Sequence, residues 1–161
     1  TNGPPTPKPP ASSPDACVMT MPESPPRIVL DTNVLYAGLY SASGKSYQLL
    51  KAIAEGRVRI ALSTPLLFEY EDVLKRNHAV LSLSDAQVEV VLDNLCALAD
   101  FQAVYCMWRP CLPDANDDMV LELAVAAQVR RIVTFNAKDF RPAIRFGIEV
   151  VTPKNMLEDL Q

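Results

Sequence analysis

The 161 residues carry a formal net charge of −4, and with 49% hydrophobic and 21% charged side chains they suit one globular domain with a sizeable core. That balance excludes a general basic field that would hold nucleic acid by counterion release. Four cysteines without a Cys-x-x-Cys pair, beside one histidine, His78, exclude a structural zinc site. Any nucleic-acid partner has to be met by a local patch or through a metal ion, and the scattered cations from Lys45 and Lys51 to Arg141 and Arg145 permit a basic rim. No run of about 18 apolar residues occurs, so no membrane span is expected. Cys17, Cys96, Cys106 and Cys111 read as small apolar residues of a reducing compartment, and the chain as soluble and cytoplasmic.

Residues 1–26 contain nine prolines with Ser, Thr and Ala, too little apolar surface to offset the entropy of ordering; a disordered tail is expected there, and a folded domain over 27–161. Arg27-Ile28-Val29-Leu30 then reads as a buried strand that stops at Asp31, followed by Thr32-Asn33 and a helical turn. Asp31 is either a carboxylate delivered to the sheet's carboxyl edge or a cap for the helix that follows. The stretch from Ser43 to Ile53 has Leu49, Leu50 and Ile53 at helical spacing, with Gly56 as a stop. Gly44-Lys45-Ser46 is not a phosphate-binding loop, because Gly38 and Gly44 enclose five residues where that loop has four.

Val58–Leu62 is the second strand, and Ser63-Thr64-Pro65 caps and opens a helix through Arg76. Glu69 lies early on that helix among apolar neighbours, near the carboxyl end of the preceding strand, while Glu71 and Asp72 suit a solvated face. Ser84-Asp85-Ala86-Gln87 is a capping-box pattern opening a helix with an apolar stripe, and His78 before it reads as a surface residue. Phe101–Cys106 reads as a short strand and Trp108–Pro113 as a rigid connector. The group Asp114-Ala115-Asn116-Asp117-Asp118 opens a helix apolar on nearly every side; three aspartates exceed what capping needs, which implies a positive partner. Arg131–Thr134 is a strand leading into Phe135-Asn136-Ala137-Lys138-Asp139, and Ile148–Val151 a last strand before a short helix through Leu160.

Alternating strands and helices predict a three-layer α/β/α fold with a central parallel sheet of about five strands, every carboxyl end on one edge. Asp31, Glu69, Asp117 or Asp118, and Asp139 then fall near that edge. Unrelieved, such carboxylates repel and raise one another's pKa values. A hard divalent cation, Mg2+ or Mn2+, relieves this, and it also activates water for attack on phosphorus without a histidine or cysteine.

As a set and in order, Asp31-Thr32-Asn33-Val34-Leu35, Glu69 in its Ser63–Tyr70 context, Asp114-x-x-Asp117-Asp118, and Val133-Thr134-Phe135-Asn136-Ala137-Lys138-Asp139-Phe140 resemble the PIN-domain family. More narrowly, they resemble the VapC-like toxin ribonucleases of bacterial toxin–antitoxin pairs, over about residues 27 to 157. The resemblance implies a Mg2+- or Mn2+-dependent endoribonuclease, often a homodimer and inhibited by a cognate antitoxin. It implies Asp31, Glu69, Asp117 or Asp118, and Asp139 as the metal-binding and catalytic acids, with Asn33, Thr134 and Asn136 in support. Asn136 stands where some members carry an acid, and Phe135 where they carry Gly or Arg.

Two other classes stand beside this reading. A haloacid-dehalogenase-like phosphatase would use Asp31 as a nucleophile, but needs a second Asp two residues later, where this chain has Asn33. A PIN-like module that binds RNA or protein with weak or no catalysis is the non-enzymatic alternative.

Overall fold

The computed structural model describes residues 23–105, 112 and 114–161. Residues 1–22 of the expected tail, most of the expected connector, and Cys17, Cys106 and Cys111 lie outside them. The middle of the fold is β1 (Arg27–Leu30), flanked by β2 (Arg59–Leu62) on one side and β4 (Arg131–Val133) on the other. With β3 (Ala99–Phe101) and β5 (Glu149–Val151) at the edges, the order is β3-β2-β1-β4-β5, and every pairing is parallel. Strands buried on both faces read as continuous apolar runs. Ile28, Val29, Leu30, Ile60, Ala61, Leu62, Ile132 and Val133 are accordingly all buried.

The first crossover holds two helices, α1 (Thr32–Tyr40) and α2 (Lys45–Ala54); the second holds α3 (Thr64–Arg76) and α4 (Asp85–Leu98). The long α5 (Ala115–Ala126) leads into β4, a 3-10 helix (Arg141–Phe146) into β5, and α6 (Pro153–Glu158) closes the domain. The result is the three-layer α/β/α arrangement expected. Gly38 sets the approach of α1 to α2, since a Cβ there would stand 2.5 Å from Leu50 Cδ1 and 3.2 Å from the Ser46 carbonyl carbon. Gly56 follows α2 at φ +75°, the left-handed stop that glycine favours. The capping box of α4 is complete: Ser84 Oγ accepts the Gln87 N–H and Gln87 Oε1 accepts the Ser84 N–H.

The third strand departs from expectation. It covers Ala99–Phe101 rather than Phe101–Cys106, because its partner β2 ends at Leu62, opposite Phe101. After one last bond, from the Gln102 N–H to the Leu62 carbonyl, no strand among the described residues remains for Ala103–Tyr105 to pair with. The second helix starts at Lys45, two residues later than expected, and the helix α1 and the 3-10 helix at Arg141–Phe146 are more extensive than the sequence pattern indicated. Among the described residues, no helix is long and apolar enough to cross a membrane. His78 is exposed, and the half-buried Cys96 is unbridged.

Candidate active site at the carboxyl edge of the sheet

Parallel strands with crossover helices leave a crevice beyond their carboxyl ends. Here that crevice is a cleft of about 380 Å³ between α1, α3 and the start of α5, lined by Asp31, Glu69, Asp114 and Asp117 together with Asn33 and Asn136. Asp31 follows β1 directly and is 5% exposed. Its two sequence readings coexist: Oδ1 accepts the Thr32 N–H at 2.7 Å as a cap, while Oδ2 accepts the Thr134 hydroxyl at 2.6 Å. Each carboxylate oxygen keeps a second lone pair for another partner. Burial pushes the Asp31 carboxyl up from its ordinary value, opposed by those two hydrogen bonds.

Thr134, fully buried at the end of β4, fixes this corner. Besides donating to Asp31, its Oγ1 accepts the Asn136 N–H at 3.0 Å and the Asn33 side-chain amide at 3.4 Å. Asn33 Oδ1 in turn accepts the Phe135 N–H at 3.4 Å. Asn33 therefore ties α1 to the turn after β4. From the other side, the buried hydroxyl of Tyr70 on α3 donates to the Leu30 carbonyl, one residue before Asp31.

The third motif divides between its two aspartates. Asp114 caps α5 by accepting the Asn116 N–H at 2.9 Å, and Asp117 on the first turn lines the cleft. Asp118 is 1% exposed, accepts the Leu112 N–H at 2.8 Å and does not line the cleft. The Asp117 carboxyl is pushed up to about 7, first by burial and then by the charges of Asp31, Asp114, Asp139 and Asp118. Glu69 is raised too, by burial and by Asp72, with Arg76 opposing.

Asp139 does not line the cleft, although its charge reaches Asp117. Asp114, which the sequence reading took as part of the helix start, does line it. So do Tyr36 and Asn77, which that reading passed over. The signal for Tyr36 is its position three residues after Asn33, on the same face of α1. No lysine or arginine among the described residues lines the cleft. The basic rim permitted by the sequence does not form there: Lys45, Lys51, Arg57 and Lys154 gather in a separate groove between α2 and α6, beside Glu55 and Glu158. Other cations are paired, Lys75 with Glu71, Arg76 with Asp72, and Arg131 with Glu149 and Asp159.

The donor chemistry fits a hard divalent cation, being all oxygen, anionic and uncompensated by cationic side chains among the described lining residues. The side chains do not form a closed cage: among the described residues, no three carboxylate, imidazole or thiolate groups converge as ligands for one ion. An ion that keeps several of its waters needs only one or two direct carboxylates.

The PIN domain, as a family profile, matches residues 27–138. No curated protein matches the chain by sequence. Among solved structures, the crystal structure of VapBC2 from Rickettsia felis bound to a DNA fragment from their promoter is similar in fold. Its TM-score is 0.55 and its identity 18%, over 77% of this chain and 98% of that one.

Proposed function

The chain belongs to the PIN-domain family, and from that membership we propose that it is a Mg2+- or Mn2+-dependent endoribonuclease, the toxin member of a toxin–antitoxin pair. The observation that carries the reading is the acidic cleft itself: four carboxylates at the sheet's carboxyl edge, three of them, Asp31, Glu69 and Asp117, with raised pKa values, and no lysine or arginine among the described residues lining it. The fold shared with VapBC2 supports looking for a partner protein that restrains the activity. A homodimer and a cytoplasmic location belong to the same proposal.

Asp31 and Asp117 would hold the ion, with Glu69 lining the same cleft and Asp139 and the buried Asp118 acting on it through their charge. When bound, the ion lowers the pKa of an attacking water and offsets the charge of the scissile phosphate. The chain's own contribution is placement. Thr134 holds the Asp31 carboxylate in one orientation, Asn33 and Asn136 brace Thr134, and Tyr70 anchors the strand end that carries Asp31. No protein nucleophile is required. The Asn33 side chain is occupied in bracing, which counts against a phosphatase that needs an acid at that position.

One observation favours a second reading, a PIN-fold module that binds RNA or protein without efficient catalysis: no three ligands converge on one point among the described residues. Calorimetry with Mn2+ and cleavage of single-stranded RNA separate the two. The nuclease reading expects Mn2+ binding and cleavage by the natural chain and loss of cleavage in Asp31→Asn. Equal rates in both proteins would remove Asp31 from the site, and no Mn2+ binding at millimolar ion would favour the binding module.

A further inference from the structure

Helix α1 presents an aromatic pair that the metal chemistry does not use. Asn33, Tyr36 and Tyr40, at i, i+3 and i+7, share one face, while Val34, Leu35 and Gly38 are buried on the other. The stripe starts beside Asp31 and extends about 10 Å along the helix, at the usual rise per residue. Tyr36 lines the acidic cleft, and Tyr40 is 63% exposed. Their rings are stacked, with centroids 6.1 Å apart and planes 13° from parallel. An aromatic pair at i, i+4 stabilises a helix by a few tenths of a kcal/mol, but that gain does not require one ring in the cleft and the other largely open to solvent.

The electrostatics make these rings the available handle for a nucleic acid. Asp31, Glu69, Asp114 and Asp117 repel a phosphate backbone beyond the one phosphate that a bound ion would offset, and no lysine or arginine among the described residues lines the cleft. Binding that does not depend on phosphate pairing has to come from base faces, and a base stacks on an aromatic ring only when it is unpaired. We propose that Tyr36 and Tyr40 form a ledge on which the unpaired bases of the RNA strand stack beside the carboxylates. The proposal rests on the nuclease reading for its substrate class and adds how that substrate is held.

The test is equilibrium binding of a short fluorescein-labelled RNA of mixed sequence to the full chain in an Asp31→Asn background, which keeps the strand intact. The comparison strands are its abasic counterpart and its duplex. Tyr40→Ala is expected to weaken binding of the single strand roughly tenfold, with an unchanged slope of log affinity against log salt, because no phosphate contact is removed. Tyr40→Trp should retain or tighten binding, and Tyr36→Phe, which keeps the ring, should match the parent. The abasic strand and the duplex should bind weakly and be insensitive to Tyr40→Ala.

Equal affinity of Tyr40→Ala and parent for the single strand would overturn the ledge, as would a parent that binds the abasic strand equally well. Either result would leave the stripe as a helix-stabilising pair or a surface for a protein partner. Mn2+ calorimetry on the natural chain and on Tyr40→Ala keeps the two proposals apart. Mn2+ binding in both with equal RNA affinities refutes the ledge alone, whereas no Mn2+ binding with a base-dependent loss at Tyr40 refutes the nuclease and keeps the ledge.

Discussion

The hydroxyl of Thr134 donates to Oδ2 of Asp31 at 2.6 Å across 103 residues of sequence, joining the carboxyl ends of two adjacent strands. Both residues are buried, so removal of the donor leaves a carboxylate oxygen short of a partner in a place water reaches poorly. Thr134→Val keeps the shape and is expected to cost about 1–3 kcal/mol of stability near neutral pH. Urea denaturation measures the loss, and calorimetry should show weaker Mn2+ binding in the same variant. An unchanged midpoint together with unchanged Mn2+ affinity would show that the bond does not orient Asp31.

Asp117 and Asp118 are neighbours with opposite expected phenotypes. Asp117→Asn removes a crowded charge from the cleft, so the metal-free protein should be at least as stable as the parent above pH 7, while Mn2+ affinity and cleavage fall. Asp118→Ala removes the acceptor for the Leu112 N–H and is expected to cost about 1–3 kcal/mol. Thermal unfolding paired with Mn2+ titration checks both. Loss of metal binding in Asp118→Ala with no loss of stability would reverse the assignment.

The acidic cleft also sets a pH dependence. Asp117 is raised from its ordinary value of 3.8 to about 7, and Asp31 and Glu69 are raised as well. Between those pH values the folded chain holds more protons than the unfolded chain, so stability falls as pH rises through the window. Chelated protein should therefore melt at a lower temperature at pH 8 than at pH 5. Mn2+ should raise the melting temperature more at pH 8, where the carboxylates are ionised. A melting temperature that climbs with pH in chelator would contradict the crowding of these acids.

Tyr70 offers a test of the strand end without touching the acids. Tyr70→Phe keeps the buried ring and deletes the donor to the Leu30 carbonyl, at an expected cost of about 1–2 kcal/mol. Cleavage, compared at matched folded fraction, should fall modestly if the position of Leu30 governs that of Asp31, and a full-rate variant would limit Tyr70 to stability.

Legibility from sequence followed the range of the forces involved. The run Ile28-Val29-Leu30 ending at Asp31, and the Ser84/Gln87 box, are local patterns with local causes, and both elements stand where expected. The parallel topology then carries Asp31, Glu69 and the Asp114–Asp118 group to one edge. Choosing Asp117 over Asp118 for the cleft was out of reach, because adjacent helical positions differ by about 100° and α5 is apolar on too many sides to reveal its rotation. That Asp114 lines the cleft and Asp139 does not was equally out of reach, because the placement of the α5 start and of the turn after β4 against the cleft is set by tertiary packing. The third strand was misplaced because its length is dictated by where β2 ends.

The central position of β1 has a consequence for the timing of synthesis. Emerging early from the ribosome, this strand has only β2 to pair with until β4 follows, and Thr134 arrives last of the groups that grip Asp31. A chain interrupted between Asp118 and Thr134 carries Asp31, Glu69, Asp114 and Asp117 but not the hydroxyl that holds Asp31. The carboxyl edge is therefore completed late in synthesis, and a chain shortened before Thr134 is expected to lack Mn2+ binding.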